Sequence, residues 1–219
     1  GEPPYKLDKS NVTYLLTEDI ISPSGAIEIT SDNEGAVLLD LGGNTITFAN
    51  ELHHTYDKND ITKNGIGIYR SKDWSKGKLS IVNGNLKQSM VENAPVETSG
   101  FNPIFLQKQI NLEIAGITLN YHTPQTFGVY LWSVREKVNI HHNVFLDRGH
   151  VITDRHGTSG GRAVYFRSNE QQTNDYSIHH NLVKRTRQNG FSVAKNIYNN
   201  EIYVDSWSTN SFAIQPFNE

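Results

Sequence analysis

Cysteine is absent from this chain of 219 residues, which excludes disulfide scaffolds, thiolate zinc sites and cysteine nucleophiles together. Apolar residues make up only 36% and methionine occurs once, so a Leu/Ala-rich helical bundle is a poor fit. No run approaches the roughly 18 apolar residues of a membrane-spanning helix, so no membrane span is expected. No block of Lys and Arg supplies salt-dependent phosphate affinity, and nucleic acid is not expected as a partner. What is plentiful is Gly, at 17 residues, together with Asn, a composition suited to many turns between short strands. The chain opens Gly1-Glu2-Pro3-Pro4 without a methionine, as a mature exported protein or a trimmed chain would.

The net charge of −3 conceals an asymmetry. Residues 1–128 carry 15 acids and 10 bases, while residues 129–219 carry 8 acids and 10 bases. Seven of the eight arginines (Arg135, Arg148, Arg155, Arg162, Arg167, Arg185 and Arg187) fall within 53 residues. They read either as a solvated surface or as a site for an anion, which guanidinium grips through two parallel hydrogen bonds.

A repeat organises the chain. It reads Leu41-Gly-Gly-Asn44-Thr-Ile46, Ile81-Val-Asn-Gly84-Asn-Leu86 and Ile114-Ala-Gly-Ile117-Thr-Leu119. It continues as Ile140-His-His-Asn143-Val-Phe145, Ile178-His-His-Asn181-Leu-Val183 and Ile197-Tyr-Asn-Asn200-Glu-Ile202. A second motif alternates at period two, as in Ile27-Glu-Ile29, Ile66-Gly-Ile68, Ile104-Phe-Leu106, Val129-Tyr-Leu131, Val164-Tyr-Phe166, Phe191-Ser-Val193 and Phe212-Ala-Ile214. Such alternation marks strands with one buried face, and Asn or Gly at a fixed offset marks a left-handed bend. The expected fold is all-β: one single-stranded right-handed parallel β-helix over residues 1–219, with an N-terminal extension at 1–10 and about seven coils over 11–215.

The Ile-x-x-Asn-x-apolar ladder resembles the right-handed parallel β-helix proteins of the pectate-lyase-like superfamily. Val138-Asn-Ile-His-His-Asn143 is similar to the strand that pectate lyases write Trp-Ile-Asp-His-Asn, without its Trp and Asp. The pectate-lyase pattern of two arginines around a proline is absent, as are the paired Asp and Gly-His-Gly motifs of polygalacturonases. The resemblance implies a fold and a carbohydrate-active class, secreted, periplasmic or at the cell surface, and fold alone does not fix function.

Stacking the coils by motif defines outward columns. One runs Glu28, Gly67, Phe105, Tyr130, Tyr165, Ser192 and Ala213; another, two residues on, contains Tyr69, Trp132 and Arg167. Tyr69, Phe105, Tyr130, Tyr165 and Trp132 would form an exposed aromatic patch bordered by Arg70, Arg162 and Arg167. Aromatic faces with hydrogen-bonding tips suit sugar rings, and arginines suit their carboxylates. The alternative is that residues 146–162 cover the rings as a second core.

On the other face, the columns place His141 over His179 and His142 over His180, beside Asp40, Ser80, Glu113, Asn139, Ser177 and Asn196. No carboxylate column completes a metal set, so no metal is expected there. No cofactor is evident either; Ca²⁺ stays open as a cofactor, without a motif that calls for it. Paired carboxylates at glycosidase spacing are missing from the strand columns, leaving Asp147, Asp154 and Asp205 to serve a hydrolase. Residues 147–162 also carry His150 and His156, either of which suits a general base.

The favoured expectation is β-elimination on an anionic, uronate-containing polysaccharide. Arg167 and Arg162 would hold the carboxylate and His156 or Tyr165 would move the proton, with Tyr69, Phe105, Tyr130, Trp132 and Arg70 binding substrate. A non-catalytic glycan-binding or structural module of a larger surface or tail protein is the alternative, and a glycoside hydrolase the second. The end at Phe217-Asn-Glu219, directly after the last strand, suggests a fragment or an end-to-end oligomer.

Overall fold

The structure, a computed structural model, describes residues 1–30, 34–49, 65–70, 77–89, 101–123, 126–149, 161–167, 175–187, 189–192, 194–204 and 212–215. These residues hold strands and no helix, so none is long and apolar enough to cross a membrane.

The chain opens with β1 (Tyr5–Leu7), β2 (Val12–Leu15) and β3 (Ile20–Ile21), then β4 (Ile27–Ile29), β5 (Val37–Asp40) and β6 (Thr45–Phe48). Next come β7 (Ile68–Arg70), the long β8 (Leu79–Gln88), β9 (Ile104–Gln107) and the longer β10 (Ile110–Tyr121). They are followed by β11 (Phe127–Trp132), β12 (Arg135–His141), β13 (Val144–Asp147), β14 (Arg162–Arg167), β15 (Asp175–His179) and β16 (Leu182–Thr186). The last are β17 (Asn189–Ser192), β18 (Asn196–Tyr198), β19 (Glu201–Val204) and β20 (Phe212–Gln215).

Sheet A stacks eight strands in the order β1-β4-β7-β9-β11-β14-β17-β20. Sheet B has twelve strands in two rows that merge in β8 and β10: β2-β5-β8-β10-β12-β15-β18 and β3-β6-β8-β10-β13-β16-β19. The paired strands run parallel, and each strand meets its counterpart from the next round of chain. This is an all-β architecture of long parallel sheets, compatible with a parallel β-helix or a related β-solenoid.

The core lies between the sheets. Ile81, Ile114, Ile140 and Ile178 stack in register and are fully buried, with Ile197 partly buried above them. At the corner between the rows of sheet B, the Asn143, Asn181 and Asn200 amides donate to the Ile114, Ile140 and Ile178 carbonyls, each at 2.9 Å. The backbone N–H groups of Asn143 and Asn181 donate to the side-chain oxygens of Asn181 and Asn200 at 3.0 and 2.9 Å. Each corner thereby satisfies polar groups that a buried bend would otherwise strand. The residue before this asparagine takes a positive φ, and here it is His142, His180 or Asn199. The left-handed bend is therefore filled by histidine twice, not by Asn or Gly alone.

Three registers differ from the motif alignment. Ile68, not Ile66, pairs with Ile27, so Tyr69 stands opposite Glu28 and Phe105, and Arg70 opposite Leu106. Gly67 is packed where a Cβ would meet the Pro103 carbonyl at 2.6 Å, and Ile66 joins a small apolar cluster outside the main core. Phe191 pairs with Ile214 and not with Phe212. Asp40 pairs with Val82 and Leu38 with Ser80, because Gly42 and Gly43 both take positive φ and lengthen that corner by two residues.

Candidate functional site

Sheet A turns alternate side chains outward, and in register this places Glu28, Tyr69, Phe105, Tyr130 and Tyr165 in one column. Tyr69 and Phe105 stack with ring centroids 6.1 Å apart, while Phe105–Tyr130 and Tyr130–Tyr165 are tilted contacts at 4.8 and 5.4 Å. Two residues on, Gln107, Trp132 and Arg167 form a second column. The sequence-predicted rings are thus brought together, with Tyr69 one column nearer the others than the motif implied.

Exposure divides this face. Tyr69 and Phe105 are each only 7% exposed and form, with Ile66, a separate apolar cluster against which Tyr130 packs. Tyr130 and Tyr165 are half-buried, and Trp132 is 39% exposed. Burial also pushes the Tyr69 phenol well above its usual range, with Glu28 adding to the effect. The ring face is therefore closed at Tyr69 and Phe105 and more open at Trp132, while most of the expected cover, residues 146–162, lies outside the described residues.

The arginines follow the open half. The Arg167 guanidinium lies 4.6 Å from the Trp132 ring centroid and donates to the Tyr130 hydroxyl at 3.2 Å. The Arg162 guanidinium lies 4.5 Å from the Tyr165 centroid and 5.8 Å from that of Phe127. Burial lowers the Arg162 pKa, partly opposed by its hydrogen bond to Tyr165. Phe127, which sequence reasoning missed, joins the group by meeting Tyr165 at 4.8 Å and Tyr130 at 5.1 Å. The Val129-Tyr-Leu131 alternation hid it: continued two residues back it assigns Phe127 to the inward side, whereas Gly128 packs against the core and Phe127, in register with Arg162, joins the outward rings.

Other expected members lie elsewhere. Arg70 is 1% exposed and in register with Leu106, which removes it from the solvent-facing border. Asp147 is no loop acid: fully buried at the end of β13, it accepts from Arg187 Nε at 2.7 Å and from the Gly149 N–H at 3.0 Å. Arg187 donates onward to the Thr123 carbonyl at 2.7 Å, so neither partner is offered to an external ligand. His150, Asp154, Arg155, His156 and Asp205 lie outside the described residues. Among the described arginines of the cluster, Arg162 and Arg167 alone share the ring face.

The opposite face carries the histidines. His141 stacks on His179 at 5.0 Å and 1°, His142 on His180 at 5.1 Å and 3°, and His179 on Tyr198 at 4.8 Å. His141 Nε2 lies 3.4 Å from Glu113 Oε1, while Lys78 and Ser80 donate to Glu113 Oε2 at 2.6 and 2.9 Å. The Lys78 hydrogen bond, aided by those from Ser80 and His141, holds the Glu113 carboxyl below its usual range despite partial burial. Among the described residues no group of three His, Cys, Asp or Glu side chains is placed to hold a metal ion.

The chain matches no family model, and neither the curated proteins nor the solved structures give a match.

Proposed function

We propose that the chain is a right-handed parallel β-helix of about seven coils that acts as a lyase on an anionic, uronate-containing polysaccharide, in the periplasm, at the cell surface or in the medium. Right-handedness is supported by the strong preference of parallel strand–crossover–strand connections for that hand. The observation that carries the function is the pairing of Arg167 with Trp132 and Tyr130, and of Arg162 with Tyr165. Half-exposed rings offer a stacking surface for a pyranose, and guanidinium groups beside them suit its carboxylate.

β-Elimination asks for that combination. Neutralising the carboxylate acidifies the adjacent carbon, from which Tyr165 or His156 takes the proton. The electron pair forms the carbon–carbon double bond as the glycosidic carbon–oxygen bond breaks, and the departing oxygen takes up a proton. The hydrolase reading loses support because Asp147 is consumed by Arg187 and Glu113 has Ser80 and Asn139 as its register neighbours. One observation favours the non-catalytic alternative: both arginines already stack on rings, as they would in a binding surface that does no chemistry.

A panel of uronate polysaccharides, followed in the ultraviolet for the unsaturated product with and without Ca²⁺, tests the reading. Arg167→Ala should lower turnover by on the order of 10²–10³. If no uronate polymer is cleaved and none binds more weakly to Arg167→Ala, neither activity nor this face is correct.

A further inference from the structure

Sheet B holds a groove of about 390 Å³ on the face away from the rings, lined by Lys78, Asn111, Leu112, Glu113, Lys137 and Asn139. Its sides come from three successive rounds of chain. Leu79, Leu112 and Val138 share a register position; Lys78 and Asn111 precede the first two, and a register shift sets both Glu136 and Lys137 opposite Asn111, whose amide donates to Glu136 at 3.1 Å. Ser80, Glu113 and Asn139 stand in one column. Two strand spacings separate the Lys78 and Lys137 backbones, roughly 9–10 Å along the stacking direction. Lys78 is drawn to Glu113 at 2.6 Å, while Lys137 is exposed and makes no ion pair among the described residues.

These groups differ in what they can do. The Lys137 ammonium takes an anion. The Asn111 and Asn139 carboxamides both donate and accept, and the ionised Glu113 carboxylate accepts only, which suits hydroxyl groups. Lys78 supplies a second cation two spacings from the first. A hydroxyl-rich chain with acidic groups at intervals matches this mixture of cations, carboxamides and a carboxylate spread over three strands.

We propose that this groove is a second binding site for an anionic oligosaccharide lying along the stacking direction of sheet B. It shares the ligand class of the proposed function but none of its residues. A reporter is built in. Glu113 accepts only, so the His141 ring donates to it from Nε2, and in the neutral ring Nδ1 is left as the acceptor facing His142 Nδ1 at 2.8 Å. A ligand engaging Glu113 therefore moves the His141 imidazole nitrogens.

The test is a titration of the ¹⁵N-labelled full chain with a galacturonate tetramer, reading the histidine ring nitrogens, with monomeric galacturonate and a neutral glucose tetramer as comparisons. The site requires saturable movement of the His141 signals with the acidic tetramer, weakened about fivefold by the exposed Lys137→Ala change and unaffected by Trp132→Ala. Unmoved His141 signals, equal affinity for the monomer, or an equal response to the neutral tetramer would overturn it. If His141 responds as stated while Arg167→Ala alters neither cleavage nor affinity, the groove stands and the sheet A reading fails.

Discussion

Asp147 and Arg187 offer the sharpest test of how the structure is held, because each is the other's main reason for being buried. Arg187 is 2% exposed and Asp147 is fully enclosed. Asp147→Asn removes the charge that balances the guanidinium yet keeps the volume, and breaking a buried pair this way costs about 3–5 kcal/mol. Arg187→Met leaves the carboxylate with the N–H groups of Gly149 and Arg187, at 3.0 and 3.4 Å, and strands the Thr123 carbonyl. A similar loss is expected. Apolar replacement of both often restores stability elsewhere, but here those backbone groups would stay buried and unpaired at about 1–3 kcal/mol each. The double variant Asp147→Leu/Arg187→Met should therefore recover only part of the loss. Equilibrium urea unfolding measures it: with a slope of about 2–3 kcal/mol per molar, each single variant should lower the midpoint by roughly 1–2 M. Single-variant losses below about 1 kcal/mol, or full recovery in the double variant, would refute the argument.

The asparagine ladder and the histidine stack give two further expectations. Asn181→Ala strands the Ile140 carbonyl and the Asn143 N–H, so it should cost roughly 2–4 kcal/mol by the same unfolding assay, and a loss near zero would deny the ladder any stabilising role. His179 is held below the usual imidazole value, first by desolvation and then by His141, His180 and His142. Its proton binds more tightly in the unfolded chain, so its contribution is full above about pH 6.5 and is lost as pH falls through the folded value. Glu113, also depressed, adds a second loss at lower pH. Melting between pH 7.5 and 5.5 should show the first step in the parent chain and a smaller one in His179→Gln; equal steps would contradict the assignment.

The faces of the sheets were legible in the sequence while the neighbours across them were less so, and the period of a strand explains both. Alternation fixes which side chains point inward, and a slip of two residues preserves that pattern. Ile66-Gly-Ile68 and Ile68-Tyr-Arg70 both satisfy it, so the motif alone could not choose between them. The structure chooses the second, moving Tyr69 beside Phe105. Arg70 shares the parity of Ile68, so its inward position was available from the same rule. The corner asparagines were legible as a ladder, though not as the left-handed residues, for a different reason: the Asn143, Asn181 and Asn200 amides answer a fixed hydrogen-bonding need that recurs in each round. The positive φ of His142 and His180 was hidden, because the ladder imposes a bend that histidine's own preference would not announce. The Asp147–Arg187 pair was hidden too, since 40 residues separate its members and nothing local marks an acid as buried.

The ring face of sheet A contains both buried and exposed aromatic residues. A ring that serves as core and a ring that serves a ligand respond oppositely to truncation. Phe105 is 7% exposed and touches rings on both sides, at 6.1 Å to Tyr69 and 4.8 Å to Tyr130. Phe105→Ala should cost about 3–5 kcal/mol by removing packed volume. Trp132 is 39% exposed, so Trp132→Ala should change stability by about 0.5 kcal/mol or less. Its removal nevertheless takes away the surface on which Arg167 rests, and a uronate oligomer should bind this face about tenfold more weakly. Measuring unfolding and oligomer affinity on both variants separates the roles. Should Trp132→Ala destabilise as much as Phe105→Ala while leaving affinity intact, both columns belong to a second core, and the ligand face must be sought elsewhere.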